Sequence, residues 1–596
     1  MGMDIYGFYT GKVFDAYQWL GAHILENGVV FRTFAPNASR VDLLWRNEVI
    51  FMQPVYDGNF YEATVSEAKE GDVYEFRIYG QNGEVIDHCD PYGFGMELRP
   101  DHKSIVRDLN AYTFQDEAWM NTRTDMLDRP LNIYEMHFGS WRKKSGEEDG
   151  WYRYDELAEL LIPYLKESGY NYVEFLPISE HPCDESWGYQ NTGFYAPTSR
   201  YGTMNDLKRL IDMLHQNEIG VILDFVPVHF AIDRYALAKY DGSALYEYPH
   251  NDVGVSEWGS HNFMHSRGEV RCFLQSAANY WLREYHFDGL RMDAISRIIY
   301  WQGDERRGVN GNAVEFIKTM NQELKKLNPG CILAAEDSTN YPNVTTAVQQ
   351  GGLGFDYKWN MGWMHDTLDY FKSIPKERID KYHKLTFSMM YFRNEQYLLP
   401  FSHDEVVHGK DTIIQKMNGE YEDKFSQAKA MYLYMMVHPG KKLNFMGNEI
   451  GQFREWDEKR EQDWSIREYP THDSFYHYMS ELNHIYLSHP ALSEWDYSEQ
   501  GFQWLDCHEE SKCIYSIQRQ SSNEKMVAVF HFGDHVQEDY EVKIEGAKKC
   551  KLLLYSDWER FGGAAKETSE ICTVSNGKLT CTLQPFSAML IQIQIS

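Results

Sequence analysis

The sequence predicts an α/β architecture, a parallel (β/α)₈ TIM barrel over residues 126–490 flanked by β-sandwich domains at 1–125 and 491–596. Three observations point there. From Leu131 onward, short apolar runs alternate with longer stretches of helical periodicity, about eight times over roughly 360 residues. On either side of that region, short runs of period two are punctuated by turn residues. Four of the central apolar runs end directly in a carboxylate or a histidine, where a barrel carries its chemistry.

The elements follow in chain order. Val29–Phe34, Val41–Trp45 and Val73–Ile78 alternate as strands, separated by Pro36-Asn37, Asp57-Gly58-Asn59 and Gln81-Asn82-Gly83. A polar segment from about Asp108 to Arg129 bridges to the barrel. There, Leu131–Met136 reads as a strand, 154–168 as a helix and Tyr172–Leu176 as a strand. Thr203 and Asp206 form a capping box ahead of a helix with Leu207, Leu210, Ile211 and Leu214 on one face. Strand Val221–Phe225, a helix over 270–286, the strand within Phe287–Ala294 and a helix carrying Ile317, Met320, Leu324 and Leu327 come next. Pro329-Gly330 stops that helix before strand Cys331–Ala335. Later strands are Tyr397–Pro400 and Leu443–Met446, with helices near 424–437 and 474–487. Lys525–His531 and Ala588–Ile593 return to strand periodicity.

Composition narrows the function. A formal net charge of −31 argues against nucleic acid or an anionic membrane as partner and suits a neutral substrate. No apolar stretch approaches the roughly 20 residues of a membrane span, and no signal peptide is visible at Met1–Tyr6. Nine scattered cysteines without CxxC pairs read as reduced thiols, so a cytoplasmic protein is expected. The 15% aromatic share is high and offers flat faces for sugar rings, although most of these residues are expected in the core.

The rim residues give the chemistry. Strand three runs into Asp224 and His229, strand four into Arg291 and Asp293, strand five into Glu336 and Asp337, and strand seven into His403, Asp404 and Glu405. Alone, Arg291 beside Asp293 fits an ordinary strand-end ion pair as well as an oriented nucleophile. Several carboxylates converging on one rim are costly to desolvate unless they form a site. Carboxylates with histidines and an arginine, and no serine or thiol nucleophile, point to glycosyl transfer. A metal site is the rival reading, but neither HExxH nor an EF-hand loop is present, and no metal or cofactor is expected.

Asp224–His229, Gly289–Ala294, Ala335–Asp337 and Phe401–Asp404 resemble the four conserved regions of the α-amylase superfamily. Three longer blocks, Trp187–Thr198, Gly352–Asp366 and His403–Lys410, narrow the resemblance to bacterial glycogen branching enzymes, from Leu20 almost to the C-terminus. The resemblance implies a 1,4-α-glucan branching activity on an α-glucan polysaccharide such as glycogen or amylose, in a chain expected to act as a monomer. Asp293 would be the nucleophile, held anionic by Arg291, Glu336 the acid/base, and Asp404 the transition-state stabiliser. His403 and His229 would grip sugar hydroxyls, Tyr189 would stack on the sugar at the cleaved bond, and Asp224 would position. Trp359 and Trp363 suit core packing and sugar stacking equally, and Trp359 is carried among the sugar contacts. The blocks around Trp187 and Gly352–Asp366 are candidate walls of an acceptor groove.

The sequence departs from the family at three places. Phe225 and Val228 replace a frequent Trp and Gly, and the loop Trp301–Gly311 is shorter than in many relatives. The N-terminal domain resembles a carbohydrate-binding module through Phe34–Ala38 and Asp90-Pro91-Tyr92. It lacks the usual glucan-binding stretch after Val41–Trp45, which leaves it a packing role. The runner-up activity is an α-glucan hydrolase, which uses the same carboxylates with water as acceptor. A catalytically dead glucan-binding protein fits poorly with Asp293, Glu336 and Asp404 all present.

Overall fold

A computed structural model describes residues 2–568 and 571–595. Eight parallel strands close a barrel in sequence order: Asn132–Met136, Tyr172–Phe175, Gly220–Phe225, Gly289–Met292, Ile332–Ala335, Tyr357–Trp359, Tyr397–Phe401 and Lys441–Phe445, the last bonded back to the first. Among the described residues no helix is long and apolar enough to cross a membrane.

The helices form where cap and stripe agree. Helix Met204–Gln216 opens with the expected reciprocal box: Thr203 Oγ1 accepts from the Asp206 N–H, and Asp206 Oδ2 accepts from the Thr203 N–H at 2.8 Å. Such a cap is worth about 1 kcal/mol. Leu207, Leu210, Ile211 and Leu214 are all buried, each contributing roughly 1.5–3 kcal/mol relative to exposure.

The sixth strand, Tyr357–Trp359, has no counterpart among the strands expected from the sequence, for two reasons. It has three residues with Lys358 at its centre, and only one 3₁₀ turn, Val348–Gln350, precedes it where a helix would mark the alternation. Lys358 is tolerated there because its ammonium pairs with Asp337 at 3.0 Å and donates to the Thr339 carbonyl at 2.8 Å.

Inside the barrel the period of two sets a layered order. Ile133, Tyr172, Ile222, Ile332, Ala334, Tyr357, Trp359, Leu398 and Leu443 form one apolar cluster. Two residues further along the first three strands stand Glu135, Glu174 and Asp224, and Arg291 lies level with Asp224 on the fourth. All four are buried. The interior thus turns from apolar to charged before the carboxyl rim.

Two excursions rise above that rim. The one after the second strand carries the hairpin of Ser179–Glu180 with Gly193–Pro197. The one after the third strand spans residues 226–267 and is mostly irregular. Its ordered parts are a short helix, Asn251–Gly254, and the pairing of His229–Phe230 with His261–Asn262.

The flanking domains are both two-sheet sandwiches. The N-terminal one pairs a sheet of Gly21–Leu25, Gly28–Phe34, Phe60–Val65 and Gln53–Val55 with a sheet built on Ala38–Trp45 and Val73–Gly80. It is bonded to the second excursion: Thr33 Oγ1 meets Tyr240 Oη at 2.6 Å, and Asp241 Oδ2 accepts from the Asn37 N–H at 2.9 Å. The C-terminal one pairs five strands, including Lys525–His531 and Ser587–Ile595, with three. Buried Asp496 ties it to the barrel, 3.0 Å from Lys441 at the start of the eighth strand and 2.7 Å from Arg519.

Candidate active site

The carboxyl rim opens into a cleft of about 590 Å³ lined, among others, by Tyr189, His229, Asp293, Glu336, His403 and Asp404. These are six of the nine residues expected at the site. Asp224 and Arg291 lie directly beneath, and Trp359 does not reach it.

Arg291 is the pivot. Its Nη1 donates to both oxygens of Asp224, each at 2.8 Å, and to Asp293 Oδ1 at 2.8 Å, and its Nη2 stands 4.0 Å from Glu336 Oε2. Burial drives the Asp293 carboxyl above its ordinary value, with Asp404 adding to the rise, and the Arg291 cation limits it. Burial also pushes Asp224 up to about 7 against the same cation. For Glu336, burial again leads, helped by the charges of Asp293 and Asp404 and opposed by Arg291, and the carboxyl is pushed up to about 7. A group poised there can give and take a proton near neutrality.

Asp404 behaves differently. Burial disfavours its charge, but His403, Arg291 and Lys410 outweigh burial and hold the carboxyl below its ordinary range. His403 Nε2 is 3.4 Å from Asp404 Oδ1, and Asp404 and Glu135 overcome the burial that opposes protonation, so the imidazole is pushed up to about 9. His229 is the opposite case. Burial lowers it to about 4 and so keeps the ring neutral at the cleft wall, while its buried Nδ1 has no hydrogen-bond partner. Tyr189 donates to Asp224 and lies parallel to the His403 ring, with centroids 5.7 Å apart.

Asp337 is kept apart from its neighbour. It is buried, accepts from the Thr339 N–H and hydroxyl at 2.9 Å each, and pairs with Lys358. The expectation of a sugar contact at Trp359 is corrected. The residue is 1% exposed, on the inward face of the sixth strand, with the Arg291 guanidinium 4.3 Å from its ring centre. Its π face supports that cation instead. Trp363 is equally buried, packed on Phe401 and Tyr434. None of the residues 352–366 lines the cleft, whereas Trp187 and Gln190 do.

Residues that the sequence reading missed complete the walls. Trp258 is 46% exposed, tilted against His229 at 5.3 Å, with the Arg297 guanidinium 4.5 Å from its ring centre and Arg297 paired to Glu257. Trp258 and Glu257 sit in the irregular excursion, where no periodicity marks a residue as facing a ligand. Glu135, which binds His403, did carry a signal: it follows Ile133 by two on its strand, as Asp224 follows Ile222.

Known proteins resemble this chain along its whole length. The family model described as alpha amylase, catalytic domain, matches residues 146–248 and 257–533. Carbohydrate-binding module 48 (isoamylase N-terminal domain) matches 19–93, and alpha amylase, C-terminal all-beta domain, matches 504–594. The 1,4-alpha-glucan branching enzyme GlgB of Geobacillus stearothermophilus is 41% identical over 575 residues, covering 94% of this chain and 90% of that protein. Its Bacillus subtilis (strain 168) counterpart is 39% identical over 611 residues, covering 99% and 97%. Among solved structures, pullulanase type I from Bacillus subtilis superposes with a TM-score of 0.75 at 19% identity, covering 100% of this chain and 87% of that one, a likeness of fold. With its three-domain order, its rim of carboxylates and these full-length relatives, the chain belongs to the 1,4-α-glucan branching enzymes of the α-amylase superfamily.

Proposed function

We propose that this chain cleaves an α-1,4 bond of an α-glucan and transfers the severed chain to a 6-hydroxyl, creating an α-1,6 branch, with Asp293 as nucleophile and Glu336 as acid/base. The observation that carries the reading is the grouping of two carboxyls on one buried cation, Asp293 Oδ1 at 2.8 Å from Arg291 Nη1 and Glu336 Oε2 at 4.0 Å from its Nη2.

In the first step Asp293 attacks the anomeric carbon and forms a glycosyl ester, while Glu336 gives its proton to the departing 4-oxygen. In the second, Glu336 takes the proton of an acceptor 6-hydroxyl, whose oxygen displaces Asp293 and restores both carboxyls. Asp404 faces the positive charge that develops on the sugar between these states. His229 and His403 hold hydroxyls, and Trp187, Trp258 and Tyr189 supply flat faces for sugar rings. The same reading takes the protein as a monomer acting on glycogen-like glucan in the cytoplasm, which its nine unbonded cysteines support.

The test separates transfer from hydrolysis. With amylose, iodine colour falls while reducing ends stay constant, and a debranching enzyme then releases short linear chains. Reducing ends that rise in step with the loss of colour, without α-1,6 signals in the proton NMR spectrum, would make the protein a hydrolase.

A further inference from the structure

We propose that Glu135, on the first barrel strand, is a positioning residue of the transfer reaction: it fixes His403 so that Nε2 faces Asp404 and the sugar cleft. The inference rests on the proposed reaction but is read out separately from it.

The geometry is a two-point clamp. Glu135 Oε1 accepts from His403 Nδ1 at 2.6 Å, and Oε2 accepts from the His403 backbone N–H at 2.9 Å. One carboxylate thus sets the position of the residue and, by its charge, favours the imidazolium, whose Nε2–H then faces the cleft. Nε2 lies 3.4 Å from Asp404 Oδ1 and 3.4 Å from Tyr189 Oη. The ring cannot swing away, since Tyr189 stacks on one side and Trp187 and Trp456 meet it edge-on at 5.8 Å and 6.1 Å.

Glu135 is fully buried, and a carboxylate is not placed there cheaply. Its neighbour in strand register is Glu174, also buried, with Oε1 lacking a hydrogen-bond partner. Burial, then the charges of Glu135 and Asp224, push Glu174 far above the carboxylate range, so it stands beside Glu135 as a neutral acid. The other charges near His403 are Asp404 on its own segment, Arg291 and Asp293 from the fourth strand and its end, and His137 at the end of the first.

The experiment combines Glu135→Gln, His403→Asn and the double variant with histidine NMR. Glu135→Gln keeps the shape and removes the charge, and kcat/KM is expected to fall on the order of 10²-fold, as when one transition-state donor is lost. In the His403→Asn background the same change is expected to cost almost nothing, because Glu135 acts through His403. His403 of the unaltered protein is expected to stay protonated to about pH 9, and in Glu135→Gln to lose its proton at a lower pH, as read from the imidazole chemical shifts. Equal cost of Glu135→Gln in both backgrounds, or His403 of the unaltered protein titrating in the ordinary histidine range, overturns the inference. The second measurement needs no variant to fold. Because the titration is independent of turnover, a hydrolase outcome for the reaction leaves it a valid test.

Discussion

The backbone N–H of Ala294, the residue after Asp293, donates to Glu336 Oε2 at 2.7 Å. Ala294 reaches that position in a left-handed conformation, φ +46°, which costs a non-glycine residue on the order of 1–2 kcal/mol. The ends of the fourth and fifth strands are further stitched by Glu336 N–H to Met292 O at 3.1 Å and Ile295 N–H to Glu336 O at 3.0 Å. Asp293 and Glu336, the proposed nucleophile and acid/base, are therefore set by one hydrogen-bonded corner, and the N–H directed at Oε2 leaves Oε1 to carry a proton.

Glu336→Gln removes that proton and keeps the shape. Turnover should fall by more than the roughly 10²–10⁴-fold of general acid catalysis alone, since both steps need the group. Asp337→Asn should cost far less activity, because Asp337 faces Lys358 rather than the cleft. Steady-state rates of the two variants check this, and a larger loss in Asp337→Asn would reverse the assignment.

The pH dependence should be bell-shaped. As the proposed nucleophile Asp293 must be ionised, and burial has raised it, so the acid limb should lie above the ordinary aspartate range. The first step needs protonated Glu336, so the alkaline limb of kcat/KM should fall near pH 7. Rates at low substrate from about pH 4 to about pH 10 test both limbs. An alkaline limb that stays in place in Glu336→Gln would assign it to another group.

Much of this was legible in the sequence, and the exceptions have causes. Asp224, Arg291, Asp293, Glu336, His403 and Asp404 announced themselves because each lies at the end of a buried strand, where a charge must have a reason. The sixth strand did not, because Lys358 breaks a run of only three residues. Trp359 misled, since an aromatic near a sugar site can serve the sugar or the cation below it, and only the inward face of the strand decides. Trp258 lies in irregular chain, where position in space is set by tertiary contacts such as the one with Arg297.

Chelation should leave activity intact. Among the described residues no three His, Cys, Asp or Glu side chains are grouped to hold a metal ion. The site carboxylates are engaged by Arg291 and His403. Activity lost to exhaustive EDTA treatment and restored by calcium would reveal a site formed in another way.

The last prediction concerns stability. The bridging segment is pinned to the barrel through buried His215, whose Nδ1 meets Asp116 Oδ2 at 2.7 Å and whose Nε2 meets Asp288 Oδ2 at 2.9 Å. Trp119 stacks on the ring at 5.3 Å and donates to Asp288 at 2.8 Å. Burial opposes the charge on His215, but Asp288 and Asp116 outweigh it and push the imidazole up to about 9. A histidine raised in the folded state contributes stability that is complete below its unfolded value and lost as pH rises through the folded one. The window is therefore from the ordinary histidine value, 6.5, to about 9. Across it the unfolding free energy should fall by on the order of 2–3 kcal/mol. Asp116 is lowered, with burial outweighed by His215 and His286, so its contribution holds above the ordinary aspartate range and is lost on acidification. Urea unfolding followed by tryptophan fluorescence at a series of pH values measures the slope. His215→Gln should be less stable near pH 6.5 and should lose most of the decline towards alkaline pH. A decline of the same size in that variant would place the titrating group elsewhere.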